Sequence, residues 1–417
     1  MRHKLSSLLL GITLCFLGIF VTACQEVVQP IRARDYPPIL ETHPVLETSA
    51  PTLTLSPAKT PRTTNTALPV TKIAPPPTVA SQEPITAANF RYLQKLFQTR
   101  IDYDLDWFNV IDPGSVQLIY QPGQVFIAQA DTKEIQIIDI HQNQVVRRLT
   151  SSDKDWTYVP VLAVSGNGKY LAAISGSTDE AAIWDIWQEK IIKVFPNILP
   201  DHISFNVALS EDGQYLALAG CFQRPNDDCY KSTVLVFDTL TGKKVVEISG
   251  IQKAQSELQF SPDNERLFIS GIRLKDTDPD LLVWNIQKNA LEFERSLSDC
   301  KCEDHFFTVE LDETKDRLVA VSHYGRIYTW DMRTWQEFQV PEALPSNNCF
   351  TLVSGDLILF CDLTDPGEAI FMRNMGQKTE MIRPGNGRVG RVFVSPDKRF
   401  LYILDEFGNF EEWGAVR

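Results

Sequence analysis

Few residues in this chain stand at spacings that chemistry uses, and those that do are mostly cysteines and aspartates. Eight cysteines are present among 417 residues. Cys15 and Cys24 lie near the N-terminus, and six follow much later: Cys221, Cys229, Cys300, Cys302, Cys349 and Cys361. In a domain exported to an oxidising compartment an even set of this kind reads as disulfides, with about fifteen connectivities open to six thiols. Zinc ligation is the other chemistry open to Cys300-x-Cys302 beside His305, but a second compact ligand pair is lacking. Asp276, Asp278 and Asp280 in KDTDPDL have the spacing of the first ligands of a calcium loop. Pro279 stands where the turn between ligands belongs, however, and Gln287 occupies the place of the bidentate glutamate, so a solvated acidic loop is expected. No Gly-x-Ser-x-Gly elbow and no HExxH pair occurs. The later histidines are His141, His202, His305 and His323; His202 and His305 share a phase that suits bonding to loop backbone. No catalytic residue, metal or cofactor is therefore expected.

These residues are carried by a unit of roughly forty residues that recurs seven times between about Val116 and Arg417. It is clearest where an apolar run ends in an apolar or aromatic residue followed by a polar one. The aligned pairs are Ile138-Asp139, Trp184-Asp185, Phe237-Asp238, Trp284-Asn285, Trp330-Asp331, Met372-Arg373 and Trp413-Gly414. Upstream of most lies a tight turn before a second apolar strand: SGNGKYLAAIS from Ser165, SEDGQYLALAG from Ser210, SPDNERLFISG from Ser261 and SPDKRFLYILD from Ser395. Each unit reads strand, turn, strand, loop, strand, turn, strand, with period-two alternation and turn residues at the joints. One such sheet cannot bury both its faces, but seven stacked around an axis can, which predicts an all-β, seven-bladed β-propeller.

Two of the pairs, Trp184-Asp185 and Trp330-Asp331, are literal Trp-Asp dipeptides, and the Ser-Pro-Asp turns sit at matching phase. On these residues the chain resembles the bacterial WD-repeat propellers over about three quarters of its length. The Gly-His dipeptide of that family is absent; Asp201-His202 and Asp304-His305 fall near its phase.

A ring must close. RIDYDLDWF alternates Ile101, Tyr103, Leu105 and Trp107 with Asp102, Asp104 and Asp106, the pattern of a half-buried strand. The last repeat stops after its third strand at FEEWGAVR, so this N-terminal strand is expected to complete the final blade and cover an edge that would otherwise aggregate. Phe90, Leu93 and Phe97 stand at helical spacing just before it and predict a helix, which resembles the lead-in helix of similar bacterial propellers.

Residues 1–23 begin with Arg2, His3 and Lys4, continue through the apolar LLLGITLCFLGIF and end in Val21-Thr22-Ala23, the order of a secretory signal. With Cys24 this ending resembles the bacterial lipobox, whose cysteine is acylated and becomes the mature N-terminus. The resemblance implies a lipid-anchored protein on the extracytoplasmic side of a bacterial membrane, in the cell envelope. More than one acyl chain gives stable anchoring. Gln25, in place of a retaining aspartate, leans towards the outer membrane in a diderm source. An ordinary signal peptide or an uncleaved anchor is the alternative. Residues 24–85 are rich in Pro and Thr and without hydrophobic period, which predicts a disordered stalk. As a coil it would span about 45 Å, and as extended polyproline up to about 190 Å. Residues 86–417 make the propeller.

The net charge is −13. Arg2 and Lys4 have no acidic counterpart in the signal, and the stalk is balanced, so the propeller carries about fifteen excess negative charges. Nucleic acid needs clustered Lys and Arg, and is excluded as a partner. Repeat phase also suggests cysteine pairing. Cys349 opens the first strand of unit six and Cys361 ends its second, and Cys221 and Cys229 bracket FQRPNDD. Cys349–Cys361 and Cys221–Cys229 are thus the expected disulfides, with Cys300 and Cys302 joined to each other or reduced.

The long, irregular segments fall at the joints between second and third strands and between units, which in a propeller emerge on one face. Long loops on a rigid scaffold carry function. Trp156, Tyr158, Phe222, Arg224, Tyr230, Arg273 and Tyr324 are the contact candidates there, being of the residue types that dominate interfaces. The expected function is a protein-binding or scaffolding propeller that recognises a protein or peptide and touches membrane only through its anchor. A lactonase-like enzyme with a metal in the channel is a second reading, and a structural part of an envelope assembly a third.

Overall fold

In a computed structural model the chain is described over residues 83–415, apart from residues 87–88, 90–91, 102–115, 122, 131–133, 152–160, 176–179, 197, 199–201, 224–228, 252, 274–279, 298–305, 313–315, 323–325, 344–348, 355–356, 362–369, 375–380, 383–388 and 406. The expected signal, Cys24 and nearly all of the expected stalk lie outside the described residues.

The strands form seven four-stranded antiparallel sheets. Blade 1 is β2 (Val116–Gln121), β3 (Gln124–Ala130), β4 (Glu134–Asp139) and β5 (Gln144–Thr150). Blade 2 is β6 (Val161–Val164), β7 (Tyr170–Ile174), β8 (Ala181–Asp185) and β9 (Lys190–Phe195). Blade 3 is β10 (His202–Leu209), β11 (Tyr215–Gln223), β12 (Cys229–Asp238) and β13 (Lys244–Ile251). Blade 4 is β14 (Lys253–Phe260), β15 (Arg266–Arg273), β16 (Leu281–Asn285) and β17 (Ala290–Arg295). Blade 5 is β18 (Phe306–Asp312), β19 (Arg317–Ser322), β20 (Arg326–Asp331) and β21 (Glu337–Ala343). Blade 6 is β22 (Cys349–Ser354), β23 (Leu357–Cys361), β24 (Ile370–Asn374) and β25 (Met381–Ile382). Blade 7 is β26 (Val389–Val394), β27 (Phe400–Asp405) and β28 (Asn409–Ala415), with β1 (Leu93–Arg100) as its outer strand.

Consecutive sheets touch through their first strands, from β2 with β6 to β22 with β26. The last sheet meets the first in a shared core where Tyr402, Leu404 and Phe410 pack with Val116, Ile127 and Ile138. The fold is a β-propeller. Its hydrophobic cores lie between blades: Ile119, Ala173 and Trp184 join blades 1 and 2, and Phe268, Phe306 and Trp330 join blades 4 and 5. Middle strands therefore need apolar residues on both faces, and AAIWD of β8 is buried at all five positions. Outer strands have one wet face and alternate, as in KIIKVF of β9.

Two turn devices repeat around the ring. Ser165, Ser210, Ser261 and Ser395 are buried; each hydroxyl donates to the Asx two residues on and accepts the backbone N–H five residues on. The residue three beyond the serine has positive φ: Gly168, Gly213, Asn264 and Lys398. At the opposite corner of the blade, Asp139, Asp185, Asp238, Asn285 and Asp331 each accept the N–H three residues later. The residue four beyond again has positive φ: Asn143, Glu189, Gly242, Asn289 and Trp335. The acidic member of the recurrent dipeptide is thus a turn cap. At Asp238 and Asp331 the backbone and hydroxyl hydrogen bonds from Thr241 and Thr334 hold the carboxyl below the usual range.

Two expectations at the N-terminus are corrected. The segment expected to be a lead-in helix is strand β1: Phe97 and Leu93 lie on LQKLFQTR, paired antiparallel with β28 from Leu93↔Ala415 to Arg100↔Asn409. The closing strand is therefore residues 93–100, and the expected strand at 101–107 lies outside the described residues beyond Ile101. Electrostatics favours this choice. Lys95 meets Glu411 at 2.9 Å, whereas an Asp-x-Asp-x-Asp strand would set like charges against whichever of Glu411 and Glu412 shares their face.

Candidate interaction face

The middle hairpin of blade 3 is longer than its equivalents. β7 and β8 pair over five rungs, Tyr170↔Asp185 to Ile174↔Ala181, and the middle strands of every other blade also make five. β11 and β12 make nine, Tyr215↔Asp238 to Gln223↔Cys229. The four added rungs lengthen this hairpin by about 13 Å over the middle hairpin of blade 2, on the face where second and third strands join. β10 follows it up to His202↔Phe222. In blade 4, β14 and β15 rise to Lys253↔Arg273.

Three of the contact candidates are placed by these extensions. Phe222 stands on β11 opposite both His202 and Lys231. Tyr230 stands at the register break between the Phe222↔Lys231 and Gln223↔Cys229 rungs. Arg273 ends β15 opposite Lys253. The backbone thus gathers Phe222, Tyr230 and Arg273 towards the raised end of blades 3 and 4. Trp156, Tyr158, Arg224 and Tyr324 lie outside the described residues, as do Cys300, Cys302, Asp276, Asp278, His305 and His323.

The strand ladders also place four cysteines. Cys349 and Cys361 are direct register partners on β22 and β23. Directly opposed residues of an antiparallel pair have Cα atoms about 4.5–5.5 Å apart, within disulfide range. Cys221 is opposite Ser232 and Cys229 opposite Gln223, two rungs away.

Asp280 is the one described member of the calcium-like spacing. It is 1% exposed, accepts the Leu297 N–H at 2.5 Å, and its own N–H bonds to the Arg295 carbonyl, so it fastens the exit of β17 to the start of β16. Among the described residues, no three His, Cys, Asp or Glu side chains cluster as a metal site would.

A polar seam between blades 7 and 1 escaped sequence reasoning. On the face of the short turns, Tyr120 donates to Asp397 at 2.9 Å and His141 stands 3.2 Å from Glu412. Burial, together with the bond to Asp397 and its charge, pushes the Tyr120 phenol up to about 12. Burial opposes ionisation of Asp397, but bonds from Ser395, Tyr120 and the Arg399 N–H outweigh it and hold its carboxyl low. On the other side of blade 7, Ile85 is fully buried between blades 6 and 7 against Leu357, Val389, Leu401 and Ile403, and its N–H donates to the Lys398 carbonyl. No local signal marks these partners, because they lie hundreds of residues apart in the chain.

No family model matches the chain, and no curated protein matches it by sequence. Among solved structures it is similar to a chain in the crystal structure of a mitotic checkpoint complex, with 14% identity and a TM-score of 0.57. The match covers 85% of this chain and 100% of that one. Similarity at this identity speaks to the propeller fold.

Proposed function

We propose that this chain is a lipid-anchored, extracytoplasmic β-propeller that binds a protein or peptide partner and performs no catalysis. The observation that carries the reading is the raised end of blades 3 and 4. Its added rungs hold Phe222, Lys231, Lys253 and Arg273 by register, with Tyr230 at the break between two of them, in a propeller with a large acidic excess. Aromatic and arginine residues on a raised end of the scaffold suit a contact surface. Cys349–Cys361 is the pairing that the ladder favours, in keeping with an oxidising compartment.

The test is crosslinking on intact cells with the native chain, a Phe222→Ala/Tyr230→Ala/Arg273→Ala variant, and a Cys24→Ser variant. Recovery of one protein by the native chain and its loss in the triple variant is the expected outcome. Equal recovery by both would overturn the assignment of the face, and retention of Cys24→Ser in the membrane fraction would overturn the anchor.

A further inference from the structure

We propose that the propeller ring is closed by a proton-operated clasp, in which His141 holds Glu412 and strand β1 together when its imidazole is charged and relaxes its hold when it is neutral. The clasp is independent of the partner-binding reading.

Its geometry joins three elements that meet nowhere else in the sequence. His141 stands in the turn between β4 and β5 of blade 1 and reaches across the seam to blade 7. Its Nε2 lies 3.2 Å from Glu412 Oε2 on β28. Its ring lies 5.1 Å from that of Phe97 on β1, tilted by 58°. Glu412 is the direct register partner of Phe97 on one side and of Tyr402 on the other, so the carboxylate that His141 grips sits on the middle strand of the closing sheet. β1 is the only strand of its blade that comes from the other end of the chain. A partly buried ion pair there controls a larger share of local stability than it would in a continuous blade.

The titratable groups facing His141 are acidic. Glu412 faces it from β28, and Asp139 from the end of β4, while Phe97 contributes only a ring from β1. Behind Glu412 lie the phenols of Tyr120 and Tyr402 and the carboxylate of Asp397, and burial keeps both phenols protonated. The hydrogen bond to Glu412 raises the affinity of His141 for a proton; burial opposes it, and the charges of Glu412 and Asp139 add to it. The folded value therefore exceeds the ordinary 6.5. A raised folded value means the stabilisation is complete below about pH 6.5 and is lost as pH climbs through the folded value. The clasp tightens in acid and loosens in alkali.

Hydrogen exchange followed by mass spectrometry on the full chain tests this, reading peptides that span residues 93–100 and 409–415 at pH 5.5 and pH 8 after correction for intrinsic exchange rates. The native chain should show about three- to tenfold greater protection of these peptides at the lower pH, as expected for a group whose proton affinity is raised in the folded state. His141→Gln keeps a hydrogen-bonding side chain without a titrating charge and should abolish the difference, as should Glu412→Gln, while middle strands of blade 2 show the same protection in all three proteins. Equal protection of the native chain at both pH values overturns the proposal. So does a pH difference that persists in His141→Gln.

Discussion

Each buried serine at the head of a turn does two things with one hydroxyl, and that concentrates stability at single atoms. Ser210 is fully buried; its Oγ accepts the Tyr215 N–H at 2.9 Å and donates to Asp212 at 2.9 Å. Ser210→Ala strands a buried donor, and should cost about 1–3 kcal/mol in equilibrium denaturation. Lys398 poses the reverse case. It holds φ at 60° where two sister turns use glycine. Lys398→Gly relieves that strain while its backbone bonds to Ser395 and Ile85 persist, so a gain of about 0.5–1 kcal/mol is expected by the same measurement. Asp280 argues against a metal at KDTDPDL from one residue outward, since its carboxylate is committed to the Leu297 N–H. Added calcium should leave the thermal midpoint unchanged, whereas Asp280→Ala should lower stability by about 1–3 kcal/mol. These turns were legible in the sequence because serine, Asx and glycine act within five residues of one another, and the physics that selects them is local.

At the scale of elements, legibility follows the same boundary between local and distant causes. Third strands are marked by their own residues: an apolar run that must be buried on both faces and an Asx that must cap a turn, as in AAIWD or LLVWN. Strand β1 carries no such mark. Its burial alternates poorly because the register slips between Lys95 and Phe97, and its apolar residues then fall at a spacing that mimics a helix. What makes it a strand is the open edge of β28 and the Lys95–Glu411 pair, both supplied from the far end of the chain. The raised hairpin of blade 3 was visible only as a long joint, since nothing in GCFQRPNDDCYKS states how many rungs continue pairing before the turn. Cys349 and Cys361 yield to the element argument: a hairpin that sets them directly opposite makes their pairing testable. In glutathione-disulfide buffer the native chain should resist alkylation at both sites, and Cys349→Ser/Cys361→Ser should lose about 2–4 kcal/mol. Full alkylation of both in the oxidised native protein would refute the bond.

The molecule as a whole depends on one joint that its other blades do not have. Six sheets are each made from one continuous stretch of chain, while the seventh takes β26, β27 and β28 from the C-terminus and β1 from the N-terminus. Closing it brings together residues about three hundred positions apart, which costs loop entropy that no local contact repays until the ring is complete. Ile85, 0% exposed and wedged against Leu357 of blade 6 and Leu401 and Ile403 of blade 7, then acts as a rivet that holds the closing blade to its other neighbour. Ile85→Ala should therefore cost about 2–5 kcal/mol in equilibrium denaturation. The direction of the strands offers a sharper test of where this stability resides. Leu93 pairs with Ala415, so the start of β1 and the end of β28 lie side by side. A circular permutant that joins residue 417 to residue 93 by a short Gly-containing turn, and opens the chain within residues 102–115, makes blade 7 continuous like the other six. It gives up the Ile85 rivet but converts a closure between distant segments into a hairpin. If the entropic cost of closing the ring is the controlling quantity, the permutant should refold faster than the native chain in stopped-flow fluorescence, even with a lower thermal midpoint. An unchanged folding rate would mean that the ring is limited by the assembly of its blades, and that β1 is a late addition to a structure already formed.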